Sequence, residues 1–199
     1  GGSIALRDES EESARPLREM VSAWADHPAL LVWEVPDEAL WNCMLNAFAT
    51  EGSWLERAAL FDQNARGLAA RMTAGYRLLR QLDPKHPLWM NHAAGNSLEH
   101  LTLMGHGADI AGCDIYPLMP YPTRPLDISR SGLAFVGMAT TRMQASVPGK
   151  PVWMVLQGMG WGDFENPVFA LQPRPSQRPT FEESRFMAYN AIVCGARGA

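Results

Sequence analysis

Apolar residues along this chain fall at helical spacing in some stretches and in short continuous runs in others, and the two patterns alternate. Residues 9–25 place Leu17, Met20, Val21 and Trp24 at helical intervals. The run Ala29-Leu30-Leu31-Val32-Trp33 follows, closed by Glu34-Val35-Pro36-Asp37-Glu38. Residues 54–82 return to helical spacing and stop at Asp83-Pro84. Leu88-Trp89-Met90-Asn91 is the next strand candidate, 97–106 a short helix, and 109–117 a third strand with its exit. Residues 129–146 read as helix, 151–157 as a fourth strand, and 180–194 as a last helix. That helix opens on Thr180-x-x-Glu183, a pair that can satisfy orphan backbone donors at a helix start. Apolar runs separated by helices mean parallel strands buried on both faces.

This order fits a doubly wound sheet or an arc of a closed barrel. The strand ends favour the barrel. Each run finishes in polar or aromatic groups: Glu34, Asp37 and Glu38; Asn91 and His92; Asp114 and Tyr116; Gln157 and Trp161. Barrel enzymes build their sites from such residues at the C-terminal ends of successive strands. A doubly wound sheet gathers them at one crevice, commonly beside a Gly-rich phosphate turn. No such turn occurs here. The expected fold is α/β, a partial (β/α)₈ barrel in a single domain over residues 1–199, with helices on the outer side only.

Charge and composition narrow the partners. The 199 residues carry a formal net charge of −4, 47% hydrophobic and 19% charged residues, as a globular domain does. The acidic balance argues against nucleic acid or an anionic membrane surface as a partner. No apolar run reaches membrane-spanning length. Cys43, Cys113 and Cys194 are far apart and odd in number, so free thiols are expected. The start Gly1-Gly2-Ser3 and the end Gly198-Ala199 look like cuts through a longer protein. Localisation is therefore open, with an extracytoplasmic or secreted parent protein compatible with the segment.

Several motifs carry a resemblance. His27-Pro28-Ala29-Leu30-Leu31-Val32-Trp33-Glu34-Val35-Pro36-Asp37-Glu38 resembles the segment "HPAL-x-x-W-x-x-x-[ND]-E" of the barrel glycosidase superfamily that includes cellulases and β-galactosidases. Asp109 to Pro117 is similar to the "AD-x-x-G-x-D-x-YP" type of strand. Lys150 to Gln157 is similar to "GKPVW-x-x-x-Q", and Phe181 to Gly198 to "EE-x-R-x-x-AY-x-A-x-x-x-GARG". The likeness implies strands four to seven of the barrel, with the eighth missing. It implies Glu38 as general acid/base, a carbohydrate substrate and no cofactor. It also exposes a departure: the superfamily places a nucleophilic Glu where this chain has Gln157.

Cleaving a glycosidic bond needs a protonated carboxyl at the leaving oxygen and a second carboxylate at the developing oxocarbenium ion. Glu38 stands where its strand opens, beside Asp37 and near Trp33 and Trp41. The plainer reading of Pro36-Asp37-Glu38 is a helix start with acids at the positive dipole end. Glu34 is the backup acid. Gln157 cannot form a glycosyl ester, but could bond a sugar hydroxyl or a water. Asp114 is the best replacement, with Tyr116 beside it; its plainer reading is a residue tying down the exit turn. Asp163 and Glu165 are further candidates. Facing one cavity from strands two apart, Glu38 and Asp114 are expected at about 6–9 Å, since neighbouring strands lie about 4.8 Å apart.

Asp37, Trp33, Asn91, His92, Tyr116, Gln157 and Trp161 are the candidate substrate contacts. Flat rings stack on the C–H face of a pyranose while polar rim groups read its hydroxyls. Most of the Trp residues are better explained as core than as ligand platform; Trp161, flanked by Gly160 and Gly162, is the exception that favours binding, with Tyr121 nearby. His92 is equally a buried histidine. Residues 39–53 exceed a short βα loop and should wall the cavity through Trp41 and Phe48. The five histidines show no metal-ligand spacing, His100 and His106 included. A rival of another class is a carbohydrate-binding barrel without turnover, which Gln157 suggests.

Overall fold

The computed structural model describes residues 4–8, 10–118, 132–163 and 178–199. Its elements in chain order are α1 (Glu11–Trp24), β1 (Trp33–Glu34), α2 (Ala39–Phe48), α3 (Trp54–Leu82), β2 (Leu88–Ala93), α4 (Leu98–Gly105), β3 (Ile110–Ile115), α5 (Phe135–Ser146), β4 (Val152–Leu156) and α6 (Phe181–Val193). The four strands form one parallel sheet in the order β1-β2-β3-β4. Successive helices touch one another, α3 on α4, α4 on α5 and α5 on α6. A sheet lying between them would forbid those contacts, so they share one side. The arrangement is compatible with part of a barrel.

The ladder register decides which side each residue serves. Partners across a parallel ladder point the same way, and side chains alternate along each strand. Asn91 pairs with Gly112, and Gly112 with Trp153. One set therefore holds Trp33, Leu88, Met90, Ala111, Cys113, Val152 and Met154, all in the hydrophobic core with Leu79, Leu101, Met104, Val136 and Met143 of the helices. The alternate set holds Glu34, Trp89, Asn91, Gly112, Asp114, Trp153 and Val155, none of which joins that core. It lines the sheet's open face. Gly112 is required there, because a Cβ would lie 2.2 Å from Trp89 Nε1.

Local chemistry explains the element ends. Ser53 and Thr180 form capping boxes with Glu56 and Glu183. After α6, Gly195 takes φ +98°, and the Ala196 amide bonds back to the Ala191 carbonyl, a Schellman closure. The chain then runs beside β4: Arg197 N donates to Val152 O at 2.8 Å and Met154 N to Gly198 O at 2.9 Å. Trp153 and Gly198 form one isolated parallel bridge there, because the helix closure turns the backbone onto the free edge of β4.

Three expectations change. The first strand covers only Trp33–Glu34, since Leu30 N bonds into a turn at His27 and Leu31 is exposed. Residues 39–48 are helix rather than loop, a consequence of their Ala/Leu/Met-rich composition. Trp24 is exposed and rests on the His27 ring instead of the core. The expected helix 129–146 begins in residues partly outside the described ones. Cys43, Cys113 and Cys194 are free thiols, and among the described residues no helix is long and apolar enough to cross a membrane.

Asp83 joins the end of α3 to β1. Its buried carboxylate accepts Trp33 Nε1 at 2.8 Å, bonds His86 Nδ1 at 2.8 Å, and accepts the Lys85 and His86 amides. Burial alone would push its pKa up; those bonds outweigh it and hold the group at about 2. A depressed carboxyl stabilises the fold above its ordinary pKa, and that contribution is lost as pH falls from about 4 towards 2. Asp83→Ala leaves the Trp33 indole donor without its acceptor and should cost at least about 1–3 kcal/mol in denaturant unfolding, at neutral pH.

Candidate active site

The chain path after β1 sets the site. Val35 is buried, Pro36 and Asp37 are exposed, and Glu38 adopts φ 47°, ψ 40°. Among the described residues Glu38 is the only non-glycine at positive φ. A side chain there costs about 1–3 kcal/mol and persists only where its surroundings over-determine it. Glu38 occupies the N-cap position of α2 without capping it, so its carboxyl is left for another partner. Its neighbour there is Asp114 on the open face of β3, close enough to act on the Glu38 carboxyl by charge and by hydrogen bonding.

Two neighbouring carboxyls disfavour each other's charge, and the pair titrates together. Burial, then the Asp114 charge and hydrogen bond, then the Asp37 charge, raise Glu38 to about 7. Asp114 is also raised, first by burial, although the bonds from Glu38 and Tyr116 oppose the shift. Tyr116 lies beside Asp114 and is itself pushed up to about 12 by burial and then by the adjacent carboxylate. The left-handed turn at Glu38 leaves its carboxyl near Asp114 of β3.

Asn91, 4% exposed, stands between these elements on β2. Its Nδ2 donates to Asp37 Oδ1 at 2.8 Å, and its Oδ1 is buried without a protein donor. Trp89 and Trp153 lie below on the same face, ring centroids 6.1 Å apart. Tyr116 meets Trp161 edge to face at 6.0 Å. Trp41 also comes to this end of the sheet: a Cβ at Gly95, just past β2, would lie 4.0 Å from its ring. The structure thus gathers Glu38, Asp114, Asp37, Asn91, Tyr116 and Trp161 at the C-terminal strand ends.

Other candidates go elsewhere. Trp33 faces the helices, bonded to Asp83, because β1 pairs it with Leu88. His92 is also on the core side, 1% exposed and lowered to about 4 by burial, hence neutral. Glu34 is on the open face and exposed, its carboxyl raised by burial and by Asp37. Phe48 packs edge-on against Trp54 and under Arg57. Gln157 spends its amide on backbone: Oε1 accepts Leu118 N at 2.8 Å, and Nε2 donates to Leu118 O and Met159 O. In this structure its amide is thus bonded to backbone, and the group is buried. Asp163 accepts Gly160 N and Arg178 Nε, both at 2.9 Å. His100 bonds Asp62 and packs on Phe61. Among the described residues no three His, Cys, Asp or Glu side chains could hold a metal ion. Glu165 and Tyr121 lie outside the described residues.

The Glu38 titration is open to a direct check. Its folded pKa lies above the ordinary value of about 4.3, so the native state binds the proton more tightly. The resulting stabilisation is full below that value and is lost as pH rises through about 7. Glu38→Gln should flatten this dependence, narrowing the fall in melting temperature between about pH 5 and 8. An unchanged slope would exclude Glu38 as the titrating group.

No protein-family model and no curated protein matches the sequence. Solved structures do. A polyextremophilic β-galactosidase from the Antarctic haloarchaeon Halorubrum lacusprofundi aligns with TM-score 0.65 and 16% identity, over 98% of this chain and 36% of its own. The β-galactosidase of the psychrophilic Marinomonas ef1 aligns with TM-score 0.59 and 15% identity, over 98% and 37%. That of Bacillus circulans sp. alkalophilus gives 0.62 and 16%, over 94% and 32%. The chain spans about a third of the length of these enzymes, and what it shares with them is a glycosidase-like fold.

Proposed function

We propose that this chain is the later part of a barrel glycosidase domain, cleaving O-glycosidic bonds with Glu38 as general acid. The observation that carries the reading is the placement of Glu38 and Asp114 together at the strand ends, where burial and neighbouring charge raise both carboxyls. A carboxyl raised to about 7 is still about half protonated at neutral pH and can give its proton up to a leaving oxygen. Asp114 acts as the partner that sustains this protonation. Standing beside Glu38, Asp114 is assigned this role rather than that of nucleophile. Asp37, fixed by Asn91, is the carboxylate available to face the developing positive charge. Asn91 Oδ1 supplies an acceptor for a sugar hydroxyl, and the Tyr116–Trp161 pair a wall for its ring.

A second reading, carbohydrate binding without turnover, is favoured by one observation. The neutral Gln157 has its amide bonded to backbone, where the resemblance would place a nucleophile.

A panel of aryl glycosides with the intact protein separates the two. Turnover that Glu38→Gln lowers by about 10²–10⁴, with binding retained, supports catalysis. Sugar binding by calorimetry with no turnover supports the second reading. For the enzyme, kcat/KM should fall as pH rises through about 7, where Glu38 ionises. Asp114→Asn removes a neighbouring negative charge and should move that limb to lower pH. A limb that stays in place would free Asp114 of this role.

A further inference from the structure

β3 and β4 pair as far as Ile115 opposite Leu156. Beyond that rung the chain passes through Tyr116 and Pro117, and proline has no N–H to continue a ladder. Gln157 continues it by side chain. Its Oε1 accepts the Leu118 amide at 2.8 Å, and its Nε2 donates to the Leu118 carbonyl at 3.3 Å and the Met159 carbonyl at 3.0 Å. At 2% exposure the group is sealed from solvent. One amide therefore joins the exit of β3, the exit of β4 and the turn that leads to Trp161. Tyr116 lies inside the joined segment, beside Asp114 and with its ring against Trp161.

We propose that Gln157 is a positioning residue: its amide fixes the exits of β3 and β4, and so holds Tyr116 beside Asp114 with its ring against Trp161. The inference rests on the reading that Glu38 and Asp114 form the chemical centre. The position needs a group that both accepts and donates, which an amide does and a carboxylate does not. Gln157→Glu keeps the Leu118 amide but sets negative charge against two carbonyl oxygens. The substitution that would seem to supply a nucleophile thereby loosens the site instead.

The test uses ligand-free intact protein, so that a failure to hydrolyse glycosides counts only against the functional reading. Hydrogen exchange in the wild type should show a protected Leu118 amide; exchange at the rate of an open loop overturns the proposal. Infrared titration follows the carboxyl band that Glu38→Gln removes. Tyr116→Phe should raise the midpoint of the Glu38–Asp114 pair, because Asp114 loses a donor that stabilises its charge. Gln157→Met should move it the same way and speed Leu118 exchange at least about tenfold. In the Tyr116→Phe background it should move the midpoint no further. No shift, a downward shift, or full additivity in the double variant overturns the proposal. So does an unchanged midpoint with a raised KM, which would make Gln157 a sugar contact, or a gain of turnover in Gln157→Glu. Should Gln157→Met not fold, the wild-type exchange and the Tyr116→Phe titration still decide.

Discussion

Everything in this structure depends on the parallel ladder through β2, β3 and β4, which gives each strand one side for the core and one for the site. With Asn91, Gly112 and Trp153 in register, Met90, Cys113 and Met154 are committed to the helices, and Asp114 to the open face. A slip of one residue would reverse both sets, burying the carboxylate against Val136 and Met143 and exposing the core. The Gly112–Trp89 contact helps to pin the register, since only glycine leaves room for that indole.

The carboxyl pair is stabilised by this frame rather than by its own members. At the start of α2 the helix dipole favours a charged Glu38 by about 0.3–1 kcal/mol. The net direction is nevertheless upward, so burial and the neighbouring negative charges win. The left-handed backbone at Glu38 adds strain that a loop alone would relax. It persists because both flanks are anchored: Val35 in the core with Trp33 tied to Asp83, and Leu40 buried in the first turn of α2. Asp83, on the helix side, thus supports a site that it does not touch.

The same division of faces separates the aromatic residues. Trp33 fills the core, Trp89 and Trp153 lie on the open face, and Trp161 reaches Tyr116 through the turn that Gln157 secures. Their spacing on strands and loops gives each a similar sequence context. Burial and hydrogen bonding give them different work.

By itself the sequence determined the alternation of helices and parallel strands, because hydrophobic period and capping residues act over a few neighbours. It also placed polar groups at the strand ends, and so marked Glu38, Asp114, Asn91 and Tyr116. Tertiary structure decided which of them meet. Nothing local signals that Glu38 takes a left-handed turn, which glutamate disfavours, or that Asp37 is held by Asn91, 54 residues away. Trp33 and His92 could not be assigned to the core side until the pairing register was known. Gln157 looked free to bind sugar because its partners are backbone atoms, and backbone groups carry no mark in a sequence of side chains. The bridge from Gly198 to Trp153 was hidden for a similar reason: two residues have no period, and only the open edge of β4 turns them into a rung.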